Sequence, residues 1–351
     1  NILGIYYRRR NAENEWSGGA MYYLKDGLGS YKGCKTLGKV LAVIFCVFAI
    51  LASFGIGNMG QINKITLNIQ SAFFGNVNAP ELAGVSIINW IIGFTLMVIG
   101  GFIILGGLQR IAAFAEKVVP FMAIVYVVGA FIIMVLHISE FGEIFSSIFK
   151  FAFGIKAVGG GAVGVTLQTV MKNGCKRGVF SNEAGLGSSV MVHSNSNVKE
   201  PVKQGLWGIF EVFADTIIVC TMTAVVVLSS GAINLSTGLV VEGTNDATLV
   251  ARAFGNTFGK AGEGFVAVAV LLFAFTTVMG WSHYGSKAVE YLWGVKGAKV
   301  YRVIFVLMMI SGAIMTSSLA WDISDTFNGL MMMPNLLGVL VLSPLVVKIT
   351  N

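Results

Sequence analysis

The feature that most constrains this chain is a series of long apolar runs almost free of charge. The last of them, Thr326 to Val347, contains no Asp, Glu, Lys or Arg at all. A bilayer core of about 30 Å needs about 20 apolar residues in a helix. Runs of that kind recur at 40–62, 83–108, 118–137, 157–175, 204–229, 264–284, 303–320 and 326–347. The pattern predicts an all-α membrane protein with eight transmembrane helices, the fourth the least regular. The chain of 351 residues is 55% hydrophobic and 12% charged, with a mean hydropathy of +0.78. A soluble domain carries about a quarter charged residues. The composition therefore excludes a disordered chain, a nucleic-acid-binding domain and an ordinary soluble enzyme, despite the net charge of +7. Cys34, Cys46, Cys175 and Cys220 form no C-x-x-C pair and read as small apolar packers.

Lys and Arg in the loops set the orientation. With the N-terminal segment and alternate junctions on one face, that face carries sixteen basic residues, among them Arg8, Arg9, Arg10, Arg110, Lys287 and Lys348. The opposite face carries five: Lys64, Lys150, Lys156, Arg252 and Lys260. The rich face is predicted to be cytoplasmic, in a multi-pass protein of the cell (inner or plasma) membrane. The positive charge then reports topology and contact with anionic lipid rather than a nucleic-acid partner. The first residues carry no signal-peptide pattern, and Asn1-Ile-Leu-Gly-Ile-Tyr-Tyr reads as the end of a helix. The expectation is one transmembrane domain over 1–351, incomplete at its N-terminus.

Hydrocarbon tolerates non-helical backbone only where protein or a water-filled cavity surrounds it. Glycine clusters and polar groups within the runs are therefore informative, and three places carry them. In Phe54-Gly-Ile-Gly-Asn-Met-Gly-Gln61, Asn58 and Gln61 lie three apart on neighbouring parts of one helical face. They act either as interhelical glue or, at Gln61, as a contact to a polar ligand. In the stretch from Gly174 to Ser189 no continuous apolar helix can be drawn. Gly178 permits a break, and Ser181 or Asn182 can cap a new helix with Glu183 in its first turn. A discontinuous helix would expose backbone groups able to bind ions or the ends of an amino acid; a cytoplasmic loop is the plainer alternative. In Phe273 to Tyr284, the hydroxyls of Thr276 and Thr277 are hard oxygens suited to a small cation, with Trp281 one turn beyond Thr277. Bonds from these hydroxyls back to the preceding turn, and an interfacial Trp, explain the same residues equally well.

Glu211 and Asp215, at i and i+4, suggest a proton or cation role or plain structural pairing with Lys203, Thr216 or Thr221. His193 and His283 have no second ligand at metal spacing, and no hydrolase triad, metalloprotease motif or P-loop is present. The expectation is a protein that is not an enzyme and holds no cofactor.

At these broken segments the sequence resembles the alanine/glycine:cation symporter family, whose fold is the five-plus-five inverted repeat of sodium-coupled amino-acid transporters. The matching blocks run in family order across almost the whole chain. They are Trp16-Ser-Gly-Gly-Ala-Met-Tyr-Tyr, Phe54 to Gln61, Arg177-Gly-Val-Phe-Ser-Asn-Glu-Ala-Gly-Leu-Gly-Ser188, Glu200-Pro-Val-Lys-Gln-Gly205, Asp215 to Thr221, Thr277-Val-Met-Gly-Trp-Ser282, and Asp325-Thr-Phe-Asn-Gly-Leu330 with Pro334-Asn335. The resemblance implies that the eight runs are helices three to ten of that fold, with helices one and two missing and residues 1–36 forming the cytoplasmic loop after helix two. It implies a substrate pocket lined by Gln61, Phe180, Thr277 and Trp281, with Gly185 contributing from the broken segment. Thr276 and Thr277 would supply part of a sodium site. The expected activity is secondary active symport, coupling sodium (or proton) entry to uptake of alanine or glycine. Another small neutral amino acid, or an ion-channel subunit, is the alternative. A channel requires a ring of filter carbonyls or like charges, and the sequence shows none.

Overall fold

The computed structural model describes residues 1–153, 167–241 and 248–351. Six helices in it are long and apolar enough to cross a membrane: α1 (Lys35–Phe74), α2 (Ile87–Ile104), α3 (Leu108–Leu136), α4 (Pro201–Ser229), α5 (Lys260–Ile314) and α6 (Ser317–Thr350). Among the described residues, two short antiparallel ribbons, Arg9–Arg10 with Trp16–Ser17 and Glu81–Leu82 with Val85–Ser86, accompany these and shorter helices. The large apolar side chains that point outward, such as Phe94, Phe102, Phe131 and Leu340, follow from a lipid solvent and need no partner.

Helix α5 cannot be one rod. Its 55 residues would extend about 80 Å, far more than a bilayer. Gly294 breaks it with φ of 74°, a conformation that glycine reaches without strain. The chain then folds back. Met279 before the break and Met309 after it both sit against Gly100 of α2, and Tyr301 Oη reaches Gly285 and Ser53. The expected runs 264–284 and 303–320 are thus the two arms of a hairpin. Seven of the eight runs fall on the six helices for that reason. The eighth, 157–175, lies mostly outside the described residues, and its described remainder begins the helix Leu167–Asn182.

The second arm ends earlier than the expected 320. Met315 and Thr316 are extended, and α6 begins at Ser317. Asn63 of α1 explains the stop: its Nδ2 donates to the carbonyls of Gly312 (3.2 Å) and Met315 (2.8 Å), which a helix end otherwise leaves unpaired.

Helix α1 is the axis of the molecule. It packs on α5 and α6, and its register is loosened by a π turn at Gly55–Met59. The glycines there allow close approach on two sides. A Cβ on Gly57 would fall 2.2 Å from Trp281 Cβ, and one on Gly55 would fall 3.3 Å from the Ser324 backbone. One apolar core joins α1 and α6 with the turns at Ala20–Ser30; a second joins α1, α2, the start of α3 and both arms of α5. A third joins α3, α4 and the helix Leu249–Phe258 to the first turns of α5.

Residues 20–24 are at most 7% exposed, so the segment read as a cytoplasmic loop is packed into the first core. Of the four cysteines only Cys46 is buried, as expected of a packer; Cys175 and Cys220 are exposed.

Candidate functional site

The polar half of α1 positions the site. Beyond the π turn, Gln61 and Lys64 lie one turn apart on the face turned away from α2. Together with Asn68 they form one wall of a cavity of about 440 Å³, completed by Tyr126 of α3, Thr223 of α4, Phe273 and Thr277 of α5, and Trp321 of α6. Two residues expected from sequence, Gln61 and Thr277, therefore meet in one cavity. A smaller recess of about 80 Å³ continues from Gln61 and Lys64 toward Phe180, Trp321 and Ser324. Phe180 thus touches the same region from the Leu167–Asn182 helix, its ring 4.9 Å from that of Trp321.

Thr276 and Thr277 are adjacent but not equivalent. One residue along a helix is a turn of about 100°, and only Thr277 lines the cavity. Both hydroxyls donate to the preceding turn: Thr277 to the carbonyl of Phe273 at 2.9 Å, and Thr276 to those of Leu272 and Phe273 at 3.0 and 2.9 Å. A threonine hydroxyl has one proton and two acceptor lone pairs. With the proton committed, the Thr277 oxygen presents only electron pairs to the cavity, as a cation ligand must.

Trp281 lies elsewhere. It is 1% exposed, seated on Gly57 within the first core and 5.2 Å from the Tyr284 ring, and is not among the residues lining either cavity.

The break in the Arg177–Ser188 block is real but displaced. The helix Leu167–Asn182 runs straight through Gly178, which has open space beside it. The chain turns instead at Glu183, Gly185 and Gly187, with φ of 54°, 86° and 85°. Asn182 closes the old helix rather than capping a new one, its Oδ1 accepting from Ala184 N at 2.9 Å. Ser181 donates to Asp215 at 2.7 Å and Asn182 to Thr216 at 3.0 Å. Ser188 Oγ donates to Glu183 at 2.7 Å. Asn335 of α6 fastens the turn: its Nδ2 donates to the Gly185 carbonyl at 2.8 Å, and its Oδ1 accepts from Tyr23 Oη. Gly185 is therefore a backbone acceptor already engaged by Asn335 in this conformation.

The remaining polar residues resolve as structural pairs. Asn58 is buried and donates to the Phe305 carbonyl at 2.6 Å, the glue role. Glu211 pairs with His193 at 3.0 Å rather than with Lys203, which holds Glu200. His283 bonds Asn195 at 3.0 Å. Lys176 and Arg177 converge on Asp325 at 2.5 and 3.2 Å, with Arg177 lying 4.2 Å over Trp321.

Sequence reasoning missed Lys64 and Trp321 as cavity residues. Lys64 had a readable signal: a lone charge one turn from Gln61 on a helix otherwise committed to membrane. Trp321 had none, because its place depends on where the preceding helix stops.

The profile of the sodium:alanine symporter family matches residues 1–351. The chain is 39% identical, over its whole length and 72% of the relative, to the sodium/alanine symporter AgcS of Methanococcus maripaludis. It is 38% identical, with the same coverage, to an uncharacterized transporter of Haemophilus influenzae. A probable sodium/glutamine symporter, GlnT of Bacillus subtilis, is 33% identical over 95% of the chain and 64% of the relative. A helical, multi-pass architecture, a cavity between its helices that Gln61 and Thr277 line, and these matches agree: the chain belongs to the sodium:alanine symporter family.

Proposed function

We propose that this protein carries alanine, and glycine as a second substrate, into the cell with sodium, through the cavity shared by Gln61 and Thr277. The observation that carries the reading is their convergence: an amide able to bond a polar substrate and a hydroxyl oxygen whose proton is already spent face one space. Gln61 and Phe180 contact the amino acid, and Thr277 supplies an oxygen to sodium. Thr276 and Trp281 support the wall from behind, and Gly185 becomes available if Asn335 releases it. The basic face is cytoplasmic in this reading. The cation and the zwitterion each stabilise the state in which both are enclosed, and rocking of helices exposes the site alternately. A potential of about 100 mV adds about 2.3 kcal/mol for each charge moved inward, enough for tens-fold accumulation.

The sodium/glutamine symporter among the relatives motivates a second reading, in which the carried amino acid is larger. Proteoliposomes containing the protein test both readings. Labelled alanine should accumulate above its outside concentration only with a sodium gradient, and choline in place of sodium should abolish the accumulation. Flux that merely equilibrates would mean a channel. Suppression of alanine uptake by glutamine at equal concentration would favour the larger substrate.

A further inference from the structure

Away from the Gln61–Thr277 cavity, one recess brings together two opposite charges that no ion pair joins. The turn at Gly259, with φ of 62°, folds the Leu249–Phe258 helix back on the first turns of α5. The two helices meet at glycines. A Cβ on Gly262 would fall 2.3 Å from the Phe254 carbonyl oxygen, and one on Gly255 would fall 2.9 Å from Glu263 Oε1. The Glu263 carboxylate therefore leans on Gly255, one turn along the same helix from Arg252; residues so spaced have Cβ atoms about 5–6 Å apart. Arg252 and Glu263 line one recess of about 90 Å³ with Asn68, Ser71 and Thr248. Among the described residues neither Arg252 nor Glu263 forms an ion pair.

We propose that this recess is an outer docking subsite for a zwitterionic α-amino acid, with Arg252 receiving the carboxylate and Glu263 the ammonium group. The chemistry selects that class. A simple anion is repelled by Glu263 and a simple cation by Arg252, whereas a zwitterion satisfies both with charges on neighbouring atoms. The Ser71 hydroxyl beside them offers a further bond. The volume corresponds to about three waters at roughly 30 Å³ each, which suits an amino acid with a small side chain. The recess also adjoins the large cavity: Asn68 lines both, so in this proposal a ligand held at Arg252 waits one residue away from the space that holds Gln61 and Thr277. The proposal rests on the reading that the protein carries an amino acid, and wild-type alanine uptake serves as the control for that reading.

Sodium-driven alanine uptake into proteoliposomes is measured for wild type, Arg252→Gln, Glu263→Gln, Arg252→Lys, Arg252→Glu and the exchanged pair Arg252→Glu with Glu263→Arg. The two Gln variants should raise the KM for alanine five- to tenfold and leave the maximal rate within twofold. Arg252→Lys should stay within twofold of wild type, and the exchanged pair should transport better than Arg252→Glu alone. A KM within twofold of wild type in both Gln variants overturns the subsite. A second measurement needs neither charged residue altered. Ser71→Cys, with Cys175 and Cys220 changed to Ser, is labelled by a small thiol reagent in sodium-free buffer. Alanine should slow the labelling there, because the subsite needs no sodium, and lack of protection overturns the proposal. Absence of wild-type alanine uptake would instead refute the proposed function.

Discussion

Thr276 and Thr277 share a chemistry and a hydrogen-bonding habit, yet a rotation of about 100° gives only one of them a place on the cavity wall. Replacing either with valine keeps the branched shape and removes the hydroxyl, so the pair offers an internal control. Thr277→Val should raise the sodium concentration for half-maximal transport about tenfold, the equivalent of about 1.4 kcal/mol, which is at the low end for an interaction with a charged group. Thr276→Val should shift it less than threefold. Sodium titrations of alanine uptake at equal surface expression check this, and equal shifts in the two variants would remove the cavity assignment. Trp281 illustrates the opposite case. Because the ring fills a core position on Gly57, Trp281→Ala opens a void costing about 3–5 kcal/mol. The expected outcome is a lowered thermal midpoint together with lost transport, rather than a broadened substrate range in a fully stable protein. Gln61 and Thr277 were legible in sequence because polar groups are rare and costly in such runs. The burial of Trp281 was not legible, because it depends on a glycine 224 positions away in the chain.

Elements carry the next level of information. Asn335 joins α6, the 183–188 turn and the Tyr23 segment through one side chain. Asn335→Ala strands a buried phenol, worth about 1–3 kcal/mol, and a part-buried carbonyl, worth less. A clear loss of thermal stability and of transport is expected, while Tyr23→Phe, which removes only one bond, should cost less. Thermal unfolding in detergent with and without alanine measures both. The glycine-rich turn was visible in the sequence as a density of Gly, Ser and Asn, but its position was not. Gly178 and Gly185 look alike in one dimension, and only the presence of Asn335 opposite the second decides which of them bends. The same holds for the end of the second arm of α5, which stops where the Asn63 amide donates to its carbonyls rather than where hydrophobicity ends.

At the scale of the whole molecule, the hydrophobic runs and the distribution of Lys and Arg foretold a helical membrane protein. They did not locate the bend between the runs 264–284 and 303–320, which the structure puts at Gly294. The charge bias makes a sidedness prediction. Cysteine placed at Lys296, beside the hairpin bend, should react with a membrane-impermeant reagent only from the cytoplasm, and cysteine at Ser236 only from outside. Both measurements use intact cells and inverted vesicles, and the reverse pattern would invert the topology.

The first arm of α5 also has a mechanical consequence. Thr277 on the cavity wall and Glu290 near the bend sit on one uninterrupted helix, about 20 Å apart along its axis. Glu290 is the hub of a contact with the N-terminal ribbon: it holds Lys287 at 3.0 Å, Ser17 at 3.0 Å and Asn11 at 3.1 Å. A stiff beam pivoting at Thr277 by about 5° would carry Glu290 sideways by about 2 Å, enough to break bonds of ordinary hydrogen-bond length. Any tilt of this arm about the cavity wall would therefore be felt first at residues 11–17, where the Glu290 contacts are the ones a small rotation strains most.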